Sequence, residues 1–336
     1  MAIGLWTGLL RLGFALPVAS TIAAPSHSAF MIAGFLGTVI SLERAVALGR
    51  GWGYAAPAFS AAGALALILG ASFTAGLAFI VAGAVLFVAT VSLTLRRLDM
   101  STFTLALAVA CWIIGTVLWL QGRAMPAVAG WWLGFLILTI AAERLELSRI
   151  VGVSRFARLI FLIAAAMPLI GAARGELAGL TAPFIAVGLI GLGIWLLQHD
   201  IARRIVSQTG QPRFTAYSVI AGEGWLTAAG LLLLFASPAG GGFIYDAAVH
   251  AIAIGFIFSM IFGHAPIILP AITGARIGFH RAVYGALALL HGSVIIRVVA
   301  DLFAWPDLRA ASAVLTIAAL VGYALSLVAG SRRRPA

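Results

Sequence analysis

The residues able to do chemistry are few. They are six histidines, His27, His199, His250, His264, His280 and His291, together with the carboxyl group of Glu223. Most stand inside or at the ends of long apolar runs, where an ionisable side chain is costly and a functional role is the default reading. His27 leads the run HSAFMIAGFLGT and His250 leads HAIAIGFIFSMIFGHA. His27 lies seven residues before Gly34 and His250 five before Gly255, a difference of about 3 Å in helix rise. The two imidazoles therefore share a depth. Facing each other across a helix-lined gap, they could supply both axial ligands of a haem. The plainer alternative is that each caps its helix or meets lipid headgroups. Asp246 precedes His250 by one helical turn, on the same face, where it could orient the ring and raise its basicity.

His264 follows His250 by fourteen residues. At regular helical pitch the two would point within about 40° of each other, about 21 Å apart. His291 is the nearest partner in depth for His264, so a second haem or a metal at these two is one reading. A polar packing contact beside Pro266 and Pro270 is the other. Copper could bind at paired histidines, but no three-histidine set supports it. His199 and His280 fall at helix ends beside Asp200 and Arg281 and read as interfacial. Glu223, in AGEGW, could relay protons or could simply bond a neighbouring helix. The single Cys111 lies in an apolar run, which leaves no disulfide framework and no CxxC pair. No phosphate loop, HExxH pair or nucleophile elbow accompanies these residues.

The elements that must position them follow from composition. Hydrophobic residues make up 63% of the 336 positions and charged residues 9%, against roughly 45–50% and 25% in a soluble domain. A water-soluble fold is excluded. A helix crosses the hydrocarbon core in about 20 apolar residues. Twelve runs of that kind occur, at 4–23, 27–48, 53–72, 75–95, 102–121, 125–145, 156–173, 178–198, 214–237, 246–270, 279–300 and 308–330. The first reads as a retained span and not a cleaved leader. The expected fold is thus an all-α membrane protein, one transmembrane domain over 1–336 with twelve helices.

All 21 basic residues are arginines, and their placement predicts the orientation. Loops after even-numbered runs, with the C-terminal segment, hold sixteen: Arg44, Arg50, Arg96, Arg97, Arg144, Arg149, Arg155, Arg158, Arg203, Arg204, Arg213, Arg276, Arg281, Arg332, Arg333 and Arg334. Loops after odd-numbered runs hold three: Arg123, Arg174 and Arg309. Cytoplasmic loops carry the arginine excess, so the even loops and both termini are expected in the cytoplasm, in a bacterial-type inner membrane. The net charge of +11 reflects topology, with the lipid bilayer as partner and not nucleic acid. Arg11 and Arg297 remain inside runs, where they could snorkel or neutralise haem propionates. Trp119, Trp131, Trp132 and Trp305 read as interfacial belt residues.

One internal repeat involves rare residues. GFLGTVISLER, from Gly34 to Arg44, and GFLILTIAAER, from Gly134 to Arg144, agree at six of eleven positions. GFIFSMIFGHA, from Gly255, places His264 in the register of Glu43 and Glu143. These segments fall in the second, sixth and tenth runs, which predicts three pseudo-symmetric units of four helices, approximately 1–98, 99–200 and 201–336. Glu43–Arg44 and Glu143–Arg144 read as structural clamps at the membrane boundary.

Twelve spans in three groups of four, with His27 near the outer end of the second and His250 in the tenth, resemble the catalytic subunit of the haem-copper oxidases. The two His-led runs also look like those of the NnrS family, twelve-span bacterial haem proteins linked to nitric oxide stress. The resemblance implies that His27 and His250 ligate a low-spin haem b. The sequence departs from the oxidases where they hold copper. The sixth and seventh runs contain no His, and Ala248 and Ile252 stand where a second histidine of the tenth would be. Oxygen reduction at a dinuclear centre is therefore not expected. Two functional classes stay open: a membrane haem protein in electron transfer or nitric oxide handling, whose partners would be an electron donor or a small gas; and a proton-coupled transporter or channel without haem, using Glu223, Glu43, His264 and His291.

Overall fold

The computed structural model describes residues 1–17, 26–95, 99–174, 182–235, 242–274 and 277–331. Among these there are helices and no strands. Each of the twelve apolar runs carries a helix. We label them α1 (Ala2–Arg11), α2 (Ala29–Leu48), α3 (Gly51–Ile68), α4 (Ser72–Thr94), α5 (Met100–Leu120), α6 (Met125–Leu147), α7 (Arg155–Ala173), α8 (Ala182–His199), α9 (Gln211–Leu234), α10 (Phe243–Thr273), α11 (Ala282–Leu302) and α12 (Pro306–Ser331). Ten are long and apolar enough to cross a membrane by length and composition. The exceptions are α8, whose apolar stretch Pro183–His199 falls just short, and α1, whose ten residues reach about 15 Å, half a span. The expected first span ran to residue 23. Its helix ends at Arg11, and positions 18–25 lie outside the described residues. Arg96, Arg97, Arg276 and Arg332 to Arg334 of the orientation count also lie outside them.

The outer surface is apolar. Phe73 and Phe156 are 67% and 72% exposed, which water would not tolerate along so many helices but lipid does. This is a multi-pass membrane protein. Helix ends follow local rules. Asp99 caps α5 by accepting from Thr102 N–H at 3.0 Å, and Ser154 caps α7 by accepting from Ala157 N–H at 3.1 Å. Gly49 and Gly274, at φ 64° and 70°, close α2 and α10 in the left-handed conformation.

The chain divides into two compact units, Met1–Glu143 and Arg144–Ala336. In the first, α2, α3, α4 and α5 pack as sequence neighbours around Phe79, Leu86 and Trp112. Trp112 stacks on Phe135 with centroids 5.0 Å apart. Trp132 corrects its sequence reading. It is fully buried and donates from Nε1 to Thr116 Oγ1 at 3.3 Å, so it is a core residue and not part of an interfacial belt. Its neighbour Gly115, which offers no Cβ, makes room for the indole. In the second unit, α7 and α8, α8 and α9, α9 and α10, and α11 and α12 pack in pairs. Pro266 and Pro270 lie inside α10. Pro266 has no N–H to give the carbonyl of Phe262 one turn earlier. Tyr323 fills that role from α12, donating its hydroxyl to Phe262 O at 2.5 Å and stacking on the Phe262 ring. Such outside donors let proline persist in a membrane helix.

Two segments depart from regular pitch. Ala29–Leu36 in α2 and Ala251–Phe258 in α10 are π-helical, eight residues each. They are the only π segments among the described residues. The expected common face of His250 and His264 assumed regular pitch throughout, and eight π residues lie between them.

Candidate functional site

Each π segment begins beside one of the two leading histidines. His27 lies two residues before Ala29, and His250 lies immediately before Ala251. π turns inside α-helices are rare and frequently sit at functional sites. The second repeat copy, which has no histidine, provides an internal comparison. In α6, Ala127 takes the place of His27 at the repeat offset, and the helix runs as a regular α-helix from Met125 to Leu147.

His27, in the first unit, is seated against α1. Its Nδ1–H donates to Gly4 O at 2.7 Å. Gly8 lies directly under the ring, where a Cβ would come 2.9 Å from Cε1. His250, in the second unit, ends the first α-helical part of α10. Its Nδ1–H donates to Asp246 O at 2.8 Å, and one Asp246 carboxylate oxygen lies 3.5 Å from the same nitrogen. In both residues a backbone carbonyl takes the Nδ1 proton, so when the ring is neutral its lone pair is on Nε2. A carbonyl-anchored Nδ1–H of this kind orients an imidazole that ligates a metal through Nε2.

Asp246 belongs to a closed ring of charge in the second unit. It pairs with Arg297 and accepts from Arg309 Nη2 at 2.9 Å. Asp301 accepts from Arg297 Nε at 3.0 Å and lies 2.5 Å from Arg309 Nε. Two carboxylates and two guanidiniums alternate, so the ring is neutral. Arg309 also lies over the Phe243 ring at 4.6 Å, a cation–π contact. The sequence left the role of Arg297 open between snorkelling and propionate neutralisation, placed Arg309 in a loop, and passed over Asp301. The spacing of Arg297 and Asp301, one turn apart in an apolar run, was the signal that could have found the pair.

The arginines of the repeat dipeptides reach beyond their own copies. Arg44 pairs with Glu143, the glutamate of the next repeat. Arg144 is 6% exposed and hydrogen-bonds His264 Nε2 at 2.9 Å, the residue in the glutamate register of the third. Each arginine thus reaches the register residue of the following repeat. Arg144 also lies 3.9 Å from Asp200. It is therefore a buried structural cation and not the surface arginine its place in the orientation count assumed.

The arrangement also settles what faces His264 and His291. His264 donates from Nδ1 to Met260 O at 2.6 Å and accepts from Arg144 at Nε2. Both ring nitrogens are engaged, and a metal would have to displace a guanidinium. His291 Nδ1 accepts from Trp225 Nε1 at 2.9 Å, and its buried Nε2 has no hydrogen-bond partner. Trp225 is held against Gly255, where a Cβ would come 2.5 Å from the indole, so the repeat glycine of α10 is a packing seat. His199 stacks on Trp195 at 4.8 Å and bonds Trp195 O. His280 accepts from Ala282 N–H at 3.2 Å. Glu223 is fully buried beside Asp200. Among the described residues no three His, Cys, Asp or Glu side chains converge as a metal cluster.

No curated protein and no solved structure matches the chain. The model of the family described as "Domain of unknown function (DUF8744)" matches residues 1–332, and the chain belongs to that family.

Proposed function

We propose that this member of the family is a membrane-integral haem b protein, with His27 and His250 as axial ligands, acting in electron transfer or in binding and handling nitric oxide. One observation carries the reading. The two histidines that lead these runs each adjoin a π segment, whereas the repeat copy with Ala127 in place of histidine is a regular α-helix; each ring is also oriented by a backbone carbonyl at Nδ1, as His199 and His264 are. The donor set fits a haem: two imidazoles that present Nε2 as the basic nitrogen when neutral. Bound there, the iron would supply one-electron chemistry and affinity for a small gas. The chain's own part is orientation. Gly4 and the main chain of Asp246 hold the ring tautomers, and the neutral ring of Asp246, Arg297, Asp301 and Arg309 holds Asp246 beside His250. Arg297 and Arg309 are committed to these carboxylates, so propionates would be met by other donors.

The wider reading is a chain of twelve spans in three units of four, in a bacterial-type inner membrane, with both termini cytoplasmic. The arginine bias supports the orientation. The successive contacts of Arg44 with Glu143 and of Arg144 with His264 support the repeat, since each joins one copy's arginine to the next copy's register residue. Absorbance of protein purified after expression with ample haem tests the function. A Soret band, with resolved visible bands on reduction, is expected. Its absence would favour the other class, a proton-coupled transporter or channel without haem.

A further inference from the structure

Apart from the two leading histidines and the charge ring beside His250, one largely buried cluster in the second unit is not used by the proposed function. It joins Arg144 at the end of α6, Asp200 just after α8, Glu223 in the middle of α9 and His264 in α10. All four interact electrostatically. Their exposures are 6% for Arg144, 2% for Asp200 and 0% for Glu223.

The charges can be assigned from the hydrogen bonds. Arg144 is a cation at any ordinary pH. It can only donate, so His264 Nε2 at 2.9 Å is an acceptor. The other nitrogen gives its proton to Met260 O, and the imidazole is neutral. Asp200 is held as an acceptor by Ala202 N–H at 2.7 Å through Oδ1. That leaves one cation facing two carboxyl groups. Three buried oxygens in this cluster have no hydrogen-bond partner: Asp200 Oδ2 and both oxygens of Glu223. An uncompensated carboxylate without a donor in such a setting is among the most expensive arrangements a fold can hold. A proton between the two carboxyl groups removes both difficulties. It gives Asp200 Oδ2 a donor and makes the quartet neutral.

We propose that Arg144, Asp200, Glu223 and His264 form a one-proton site, in which Glu223 carries an exchangeable proton against Asp200. Asp200 borders the segment carrying the exposed Arg203 and Arg204. The site stands independently of haem. It could take up charge that appears elsewhere in the low-dielectric interior.

Infrared spectra of the purified full chain in detergent, in H2O and D2O, test this. The expected result is a carboxylic-acid C=O band that shifts down in D2O and disappears in Glu223→Gln, with helical content by circular dichroism unchanged. Asp200→Asn should move the band without removing it. Should Glu223→Gln fail to fold, Glu223→Asp is expected to shift the band. A wild-type spectrum without such a band would overturn the proposal. So would a band that Glu223 substitutions leave unaltered, or one that only Asp200→Asn removes. None of these outcomes bears on the Soret spectrum, so the two readings fail separately.

Discussion

Replacing Asp301 by Asn should be among the most damaging near-isosteric changes in the second unit. The Asp301 side chain is fully buried and Arg297 is 7% exposed. The substitution removes one negative charge from a ring of two carboxylates and two guanidiniums. Arg297 and Arg309 then share Asp246 alone, and one positive charge is left buried without a counterion. Breaking a buried pair by removing one partner costs about 3–5 kcal/mol, whereas an exposed pair contributes about 0–1 kcal/mol. The structure places this pair in the first class. The double variant Arg297→Leu with Asp301→Leu is charge-balanced, because Asp246 keeps its contact with Arg309 at 2.9 Å. It should lose less stability than Asp301→Asn by itself, since an apolar pair often replaces a buried ion pair at little cost. Reversible unfolding in mixed micelles, followed by circular dichroism, provides the double-mutant comparison. A single-variant loss below about 1 kcal/mol, or a double variant worse than the single one, would refute the assignment of a buried, neutral ring.

Gly8→Val should convert the low-spin haem spectrum by pushing the His27 ring off its seat, since a Cβ there meets Cε1 at 2.9 Å. Gly51→Ala, where a Cβ meets nothing within 4 Å, should leave it unchanged, and equal effects of the two would contradict this seat. Trp225→Phe removes the donor to His291 Nδ1 and should destabilise the chain by about 1–3 kcal/mol in the same unfolding assay; no loss would mean that the bond contributes nothing. A reporter active only in the periplasm, fused after Ala336, should be silent, and its activity would reverse the proposed orientation.

Much of the fold is legible in the sequence because lipid imposes one rule on every helix. Each apolar run had to satisfy its own backbone, so α2 to α12 begin and end within a few residues of where composition predicts. The first helix is the exception: apolarity continues past Arg11, but the helix does not. The π segments were not legible. AFMIAGFL and AIAIGFIF contain no proline, and the one glycine in each, Gly34 and Gly255, is also found at the matching place in the regular α6 as Gly134. Trp132 shows a related limit, since an indole near a helix end reads as interfacial until Gly115 and Thr116 are seen to enclose it. Pairing was the hardest to read. Glu43–Arg44 and Glu143–Arg144 look like local clamps because neighbours in sequence invite pairing, yet Arg44 and Arg144 each reach the following repeat. His27, His250 and Asp246 stood out as rare polar residues in apolar runs. Asp200 and Asp301 were hidden because both sit near helix ends, where a carboxylate is ordinary, and only the packing shows that they are buried.

The proposed function stands or falls with His27 and His250 holding one low-spin haem. The measurement that tests it most directly is the optical and electron paramagnetic resonance spectrum of purified His27→Ala and His250→Ala beside wild type, with His199→Ala and His280→Ala as controls. Loss of either axial ligand opens a coordination position. The first two variants should each lose haem or become high-spin, and both controls should keep the wild-type spectrum. A normal low-spin spectrum in His27→Ala or His250→Ala would contradict it, as would a change seen only on replacing His264 or His291.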